Sequence, residues 1–164
     1  MDSLNRRFLG TFEATHRLQP PAPRIRVSAV ADVGLPTRTV HLLIDTGADR
    51  TLIAPTDARG VFGDEAYEEI NRSADRIRIG GIGTGATVVE RKLFCMFHPQ
   101  SGPPVLLFQD FWIATELRDE QGKVINRHMP SLLGRDILNH FTLTLSPIRR
   151  LVEMVEEEPL PGSV

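Results

Sequence analysis

His41-Leu42-Leu43-Ile44-Asp45-Thr46-Gly47-Ala48-Asp49 is the stretch that decides how the rest of the chain is read. A short apolar run stops on a carboxylate, a hydroxyl and a glycine. Runs of this length bounded by turn residues predict a buried strand. Asp45 then falls where a buried strand opens into a loop, partly stripped of water. Thr46 can hydrogen-bond locally, and Gly47 permits a backbone conformation or a close approach that a side chain forbids. Thr51-Leu52-Ile53 resumes a β-prone run. Asp-Thr-Gly is also an ordinary turn tripeptide, so its meaning depends on what surrounds it.

Upstream, Ile25 to Val30 and Thr39 to Ile44 flank the turn signal Gly34-Leu35-Pro36-Thr37, which predicts a hairpin delivering the chain to Asp45. Before it, residues 1–23 are polar and end in Gln19-Pro20-Pro21-Ala22-Pro23. Prolines extend neither a helix nor a central strand, so this segment reads as an N-terminal arm or tail. Downstream, Ala54-Pro55 ends the strand. Residues 56–76 are charged and read as a surface loop with an inserted helix around 64–72, its acidic run a solvated face.

Ile77-Arg78-Ile79-Gly80-Gly81-Ile82-Gly83-Thr84-Gly85-Ala86-Thr87-Val88-Val89 sets a glycine-rich tip between two β-prone arms. A dinucleotide-binding loop needs Gly-x-Gly-x-x-Gly leading into a helix. Here the glycine spacing is wrong and a strand follows, so a hairpin is expected, either a plain bulged turn or a mobile lid over a site. Leu93 to Phe97 and Val105 to Leu117 predict further strands, with a polar connection over Arg118 to His128. Leu132-Leu133 is a short buried strand broken by Gly134; Arg135 to Phe141 has helical spacing. Thr142 to Ser146 alternates as an edge or interface strand does, and residues 148–164 read as a C-terminal tail in which Leu151-Val152 has the character to pack.

The 164 residues are enough for one domain with a real core. A net charge of -2 gives no broad basic surface to attract nucleic acid. The single cysteine, Cys95, lies in the apolar run Leu93 to Phe97 and reads as a packing residue, with no disulfide framework and no metal cluster. No segment has the roughly 20 apolar residues of a membrane span, and Met1 to Arg7 lacks the apolar heart of a signal peptide. These features lead to the expectation of a cytoplasmic protein with no membrane partner.

Three separated stretches agree with one family. Leu42 to Asp49 resembles the active-site loop of retropepsin-like aspartic proteases, Ile79-Gly80-Gly81-Ile82-Gly83 resembles their flap, and Ser131-Leu132-Leu133-Gly134-Arg135-Asp136-Ile137-Leu138 resembles their later apolar-apolar-Gly-Arg motif, in the same order along the chain. The similarity spans roughly residues 24–147. It implies an all-β, closed acid-protease barrel with one short C-terminal helix, and an aspartic endopeptidase that needs no cofactor and no metal.

The same resemblance assigns roles. Asp45 would be the catalytic carboxylate, Thr46 would hold two loops in register across a dimer, and Gly47 would expose backbone to substrate. Ala48 and Asp49 would bind substrate, with Asp49 also paired to Arg135. Gly80, Gly81, Ile82 and Gly83 would form the flap tip. Leu132 and Leu133 would line or support the side-chain pockets, and Gly134 and Arg135 would support the site. A bidentate, partly buried Asp49–Arg135 pair would cost on the order of 3–5 kcal/mol to break. No other Asp is followed by Thr-Gly or Ser-Gly. One chain therefore supplies one catalytic carboxylate, and an active enzyme has to be a twofold homodimer. The competing expectation is a non-catalytic dimerisation or peptide-binding module on the same fold. The loops at 56–76 and 98–128 are longer than in the compact viral enzymes, so the rim of the cleft is this chain's own.

Overall fold

The computed structural model describes residues 5–14, 17–80, 86–160 and 163. Among these residues the chain forms strands β1 (Arg7–Glu13), β2 (Ala22–Val30), β3 (Arg38–Ile44) and β4 (Leu52–Ile53), then helices α1 (Pro55–Phe62) and α2 (Asp64–Arg72). Strands β5 (Ile77–Ile79), β6 (Ala86–Phe97), β7 (Val105–Ala114) and β8 (Ser131–Leu133) follow, then helix α3 (Arg135–Leu138) and strands β9 (Phe141–Ser146) and β10 (Leu151–Glu156).

The strands run β6-β7-β4-β8-β3-β2, and β2 pairs back onto β6, which closes a six-stranded barrel. The protein is thus mainly β with few helices, as the sequence pattern predicts, and helices stand at 64–72 and after β8 where they are expected. β2 and β3 form the expected antiparallel hairpin, from Arg24 opposite Leu43 to Ala29 opposite Arg38. Alternation explains the barrel wall: along β2, Ile25, Val27 and Ala29 point into the core while Arg24, Arg26 and Ser28 do not. β7 pairs over its full length with β6, from Val88 opposite Ala114 to Phe97 opposite Val105. Leu93, Cys95 and Phe97 face Leu107, Phe111 and Ile113 in the main core. Burial pushes the Cys95 thiol up to about 12, so it packs as a small hydrophobe, as expected.

The two helices of the insert cover the barrel with Ala58, Val61, Tyr67 and Ile70. Tyr67, fully buried, donates its hydroxyl hydrogen to the Ala114 carbonyl at 2.8 Å. Arg59 lies over the Tyr67 ring at 5.0 Å and pairs with Asp64, Glu68 and Glu116, which raises its pKa further above the ordinary arginine value. Ala54-Pro55 ends β4 as expected, and helix α1, which the sequence pattern does not predict, starts there. Pro55 stops β4 and also occupies the first turn of α1, where its missing N–H is not needed.

The arm and the tail both contribute strands. β1 pairs with β10 from Arg7 opposite Val155 to Gly10 opposite Val152, then switches to β2 from Thr11 opposite Arg24. Gly10 stands at the switch: a Cβ there would lie 2.1 Å from the Arg24 carbonyl oxygen, so only glycine fits between the two partners. Phe8, fully buried, meets Phe97 and Phe141 edge-on. Arg6 clamps the far end, giving a two-pronged ion pair at 2.5 and 2.8 Å to Glu156, which is 5% exposed. β10 pairs in turn with β9, whose outer edge ends the sheet. No described helix is long and apolar enough to cross a membrane.

Candidate active site

β3 and β8 lie parallel, with Leu42, Leu43 and Ile44 opposite Ser131, Leu132 and Leu133. β8 is buried, and β3 buries Val40, Leu42 and Ile44; each strand opens at the same end of the barrel, β3 into Asp45-Thr46-Gly47 and β8 into Gly134-Arg135-Asp136. Parallel pairing is what brings two motifs nearly ninety residues apart in the sequence to one place. The Asp45 N–H donates to the Leu133 carbonyl at 3.1 Å, which extends the β3–β8 ladder by one bond.

Asp45 is half-buried, and its Oδ1 accepts the Gly47 N–H at 2.9 Å, while the Ala48 N–H donates to the Asp45 carbonyl at 3.2 Å. The loop is therefore a tight turn with the carboxylate folded over it. The turn reading and the site reading of the tripeptide are compatible. Thr46 and Gly47 are exposed.

The second loop pins the first. The N–H groups of Arg135 and Asp136 donate to the carbonyls of Ala48 and Asp49 at 2.8 and 3.2 Å, so the free donors of the short helix α3 are satisfied by the loop it supports. Asp136 Oδ1 accepts both the N–H and the hydroxyl of the fully buried Thr51, at 2.8 and 2.7 Å. Thr51 Oγ1 accepts the Gly134 N–H at 3.1 Å. A Cβ on Gly134 would sit 2.4 Å from the Arg50 carbonyl carbon, so the two loops touch backbone to backbone. Gly134 stands at the contact between the two loops. Asp136 was not among the expected site residues, and local pattern carries no sign that its carboxylate reaches Thr51.

Arg135 pairs with Asp49, as expected, but both side chains are largely exposed, 52% and 73%. Solvent screens the pair, so its contribution is about 0–1 kcal/mol, not the several kcal/mol of a partly buried one. The stabilising carboxylate of this region is Asp136.

A cavity of about 350 Å³ opens above the loop, lined by Asp45, Gly47, Ala48, Asp49, Ile79, Gly80 and Leu132 together with Arg50, Leu52, Ala86, Trp112 and Met129. Leu52 and Leu132 of its wall belong to a small second core with Val88 and Ala114, against which Ala48, Ile79, Trp112 and Met129 pack. Leu133 instead faces the main core. β5 pairs with the start of β6, Ile77 opposite Val88 and Ile79 opposite Ala86, and this hairpin borders the cavity through Ile79 and Gly80. Gly81, Ile82 and Gly83 lie outside the described residues.

Arg50, Trp112 and Met129 are cavity residues that sequence reading missed. Trp112 enters the wall because β6 and β7 set it opposite Glu90, a matter of register. Among the described residues no group of His, Cys, Asp and Glu is arranged to hold a metal ion. No protein-family model matches the chain, and no curated protein matches it.

Proposed function

We propose that the chain is a retropepsin-like aspartic endopeptidase that acts on extended peptides as a twofold homodimer. The observation that carries this reading is the situation of Asp45. It ends a buried strand, its loop is pinned by Gly134 and Asp136, and it borders an apolar-walled cavity beside a β hairpin. Asp49, the other carboxylate of the cavity, is engaged by Arg135 and suits the binding of substrate main chain. The second catalytic carboxylate is then the partner subunit's Asp45.

Two carboxylates that share one water cannot both ionise readily, so the pair holds one proton between them. The ionised member takes a proton from the water as its oxygen attacks the scissile carbonyl carbon. The protonated member gives its proton to the carbonyl oxygen. The resulting diol collapses, the C–N bond breaks, and the amine departs with a proton returned from the dyad. The β5–β6 hairpin supplies backbone groups for an extended substrate. Thr46, exposed beside Asp45, is available to bond across the dimer axis.

Incubation of the wild-type protein and Asp45→Asn with a peptide library at pH roughly 4–7 tests the reading. New peptide termini are expected with the wild type alone. Binding without cleavage by the wild type would instead identify a peptide-binding module.

A further inference from the structure

Among the described residues Arg50 is the one cationic side chain bordering the cavity, and two contacts hold its head group. Its Nη2 donates to Glu90 Oε1 at 2.7 Å. Its guanidinium lies over the Trp112 ring, 5.8 Å from the centroid. Its Nε is shut off from solvent and has no acceptor. Trp112 is fixed by the same carboxylate, donating from Nε1 to Glu90 Oε1 at 3.3 Å. The backbone on either side of Arg50 is tied down as well: Asp136 holds the Asp49 carbonyl and the Thr51 N–H. What remains is Nη1, which has no partner among the described residues. The cavity is otherwise apolar apart from Asp45, Asp49 and backbone.

We propose that Arg50 sets the substrate preference of this cleft, selecting peptides with a carboxylate- or amide-bearing side chain close to the scissile bond. The inference rests on the peptidase reading and adds the substrate class to it. A guanidinium already immobilised by Glu90 and Trp112 loses little further freedom when it captures an oxygen acceptor. The Arg50 side chain is 38% exposed, so Nη1 is open to water, and the acceptor replaces that water with a charge-assisted bond. Lysine or arginine at the same substrate position meets like charge, and leucine offers Nη1 no acceptor in place of water.

The test compares peptides that differ at one position near the cleavage point, Glu, Gln, Leu or Lys, with the wild type and with Arg50→Met. The readout is the ratio of kcat/KM between peptides within each protein. A charge-assisted hydrogen bond open to solvent predicts a Glu-over-Leu ratio of several-fold, up to about tenfold, in the wild type, falling towards one in Arg50→Met. An intermediate Gln ratio assigns part of the preference to charge; a Gln ratio equal to Glu assigns it to the oxygen acceptor alone, and both support the proposal. Arg50→Lys, which keeps the charge but not the planar fork, retains a reduced Glu preference. Arg50→Met that fails to show the wild-type near-ultraviolet circular dichroism is set aside in favour of this second variant. An unchanged ratio in the Arg50 variants, or a wild-type preference for Lys, overturns the proposal.

Binding to Asp45→Asn keeps the two readings separable. Trp112 is the single tryptophan, so its fluorescence reports occupancy of the cleft alone. Arg50-dependent binding of the Glu peptide by Asp45→Asn, with no cleavage by the wild type, would remove the peptidase and keep the Arg50 preference. Cleavage with no Arg50-dependent ratio would do the reverse.

Discussion

Asp136 accepts two hydrogen bonds from Thr51, at 2.8 Å from its backbone N–H and 2.7 Å from its hydroxyl, across eighty-five residues of sequence. This carboxylate ties the loop that carries Asp45 to the loop that carries Gly134. Substituting Asp136 by Ala orphans both donors of a fully buried residue. The expected loss is about 1–3 kcal/mol or somewhat more, read as a fall in the urea midpoint. Asp49→Ala, which breaks only an exposed pair, should shift the midpoint by no more than about 1 kcal/mol. Equal losses in the two variants would show that the Asp49–Arg135 pair, and not Asp136, holds the loops together.

The terminal strands make a second prediction. Arg6 and Glu156 join β1 to β10 through a two-pronged pair in which Glu156 is almost fully buried. Glu156→Ala strands the guanidinium and should destabilise by up to about 3–5 kcal/mol. The double variant Arg6→Met/Glu156→Leu, which removes both charges and keeps apolar volume, should recover much of that loss. Thermal unfolding of the two variants checks it, and a double variant no more stable than Glu156→Ala counts against the buried-pair account.

Tyr67 offers a pH prediction that one signal reads, because it is the single tyrosine. Burial first, and the nearby Glu116 next, push its pKa above the ordinary phenol value. An acid whose folded pKa is raised binds its proton more tightly in the native state than in the unfolded chain. Stability is therefore unaffected below the unfolded value near 10 and falls as pH rises beyond it. The phenolate absorbance near 295 nm should appear only as the protein unfolds, in step with loss of circular dichroism. Phenolate formation at about pH 10 with the fold intact would contradict the buried Tyr67–Ala114 hydrogen bond.

The parts of the fold visible in the sequence are those set by local pattern. The β2–β3 hairpin, the apolar run of β6 and β7, and the helices at 64–72 and after β8 follow from alternation, turn residues and helical spacing. α1 was hidden because Pro55 suits both a strand end and a helix start. β1 and β10 look like arm and tail in the sequence because each lies in a polar, proline-flanked segment and their pairing joins residues about 150 apart. In the site, Asp45, Asp49, Leu132, Gly134 and Arg135 come together as the motifs imply. Arg50, Trp112, Met129 and Asp136 escaped notice because cross-strand register and loop packing bring them in, and neither leaves a periodic trace. The exposure of the Asp49–Arg135 pair was likewise invisible, since burial of a loop ion pair depends on what folds over it.

The central claim is that each chain holds half a catalytic centre. Its most direct test is the peptide-cleavage rate of wild-type protein mixed with Asp45→Asn at constant total concentration. If two copies must each supply Asp45, the rate follows the square of the wild-type fraction, roughly one quarter at an equal mixture after subunit exchange. A rate that falls in simple proportion, roughly one half at an equal mixture, would show that a single chain carries the whole site and contradict the account.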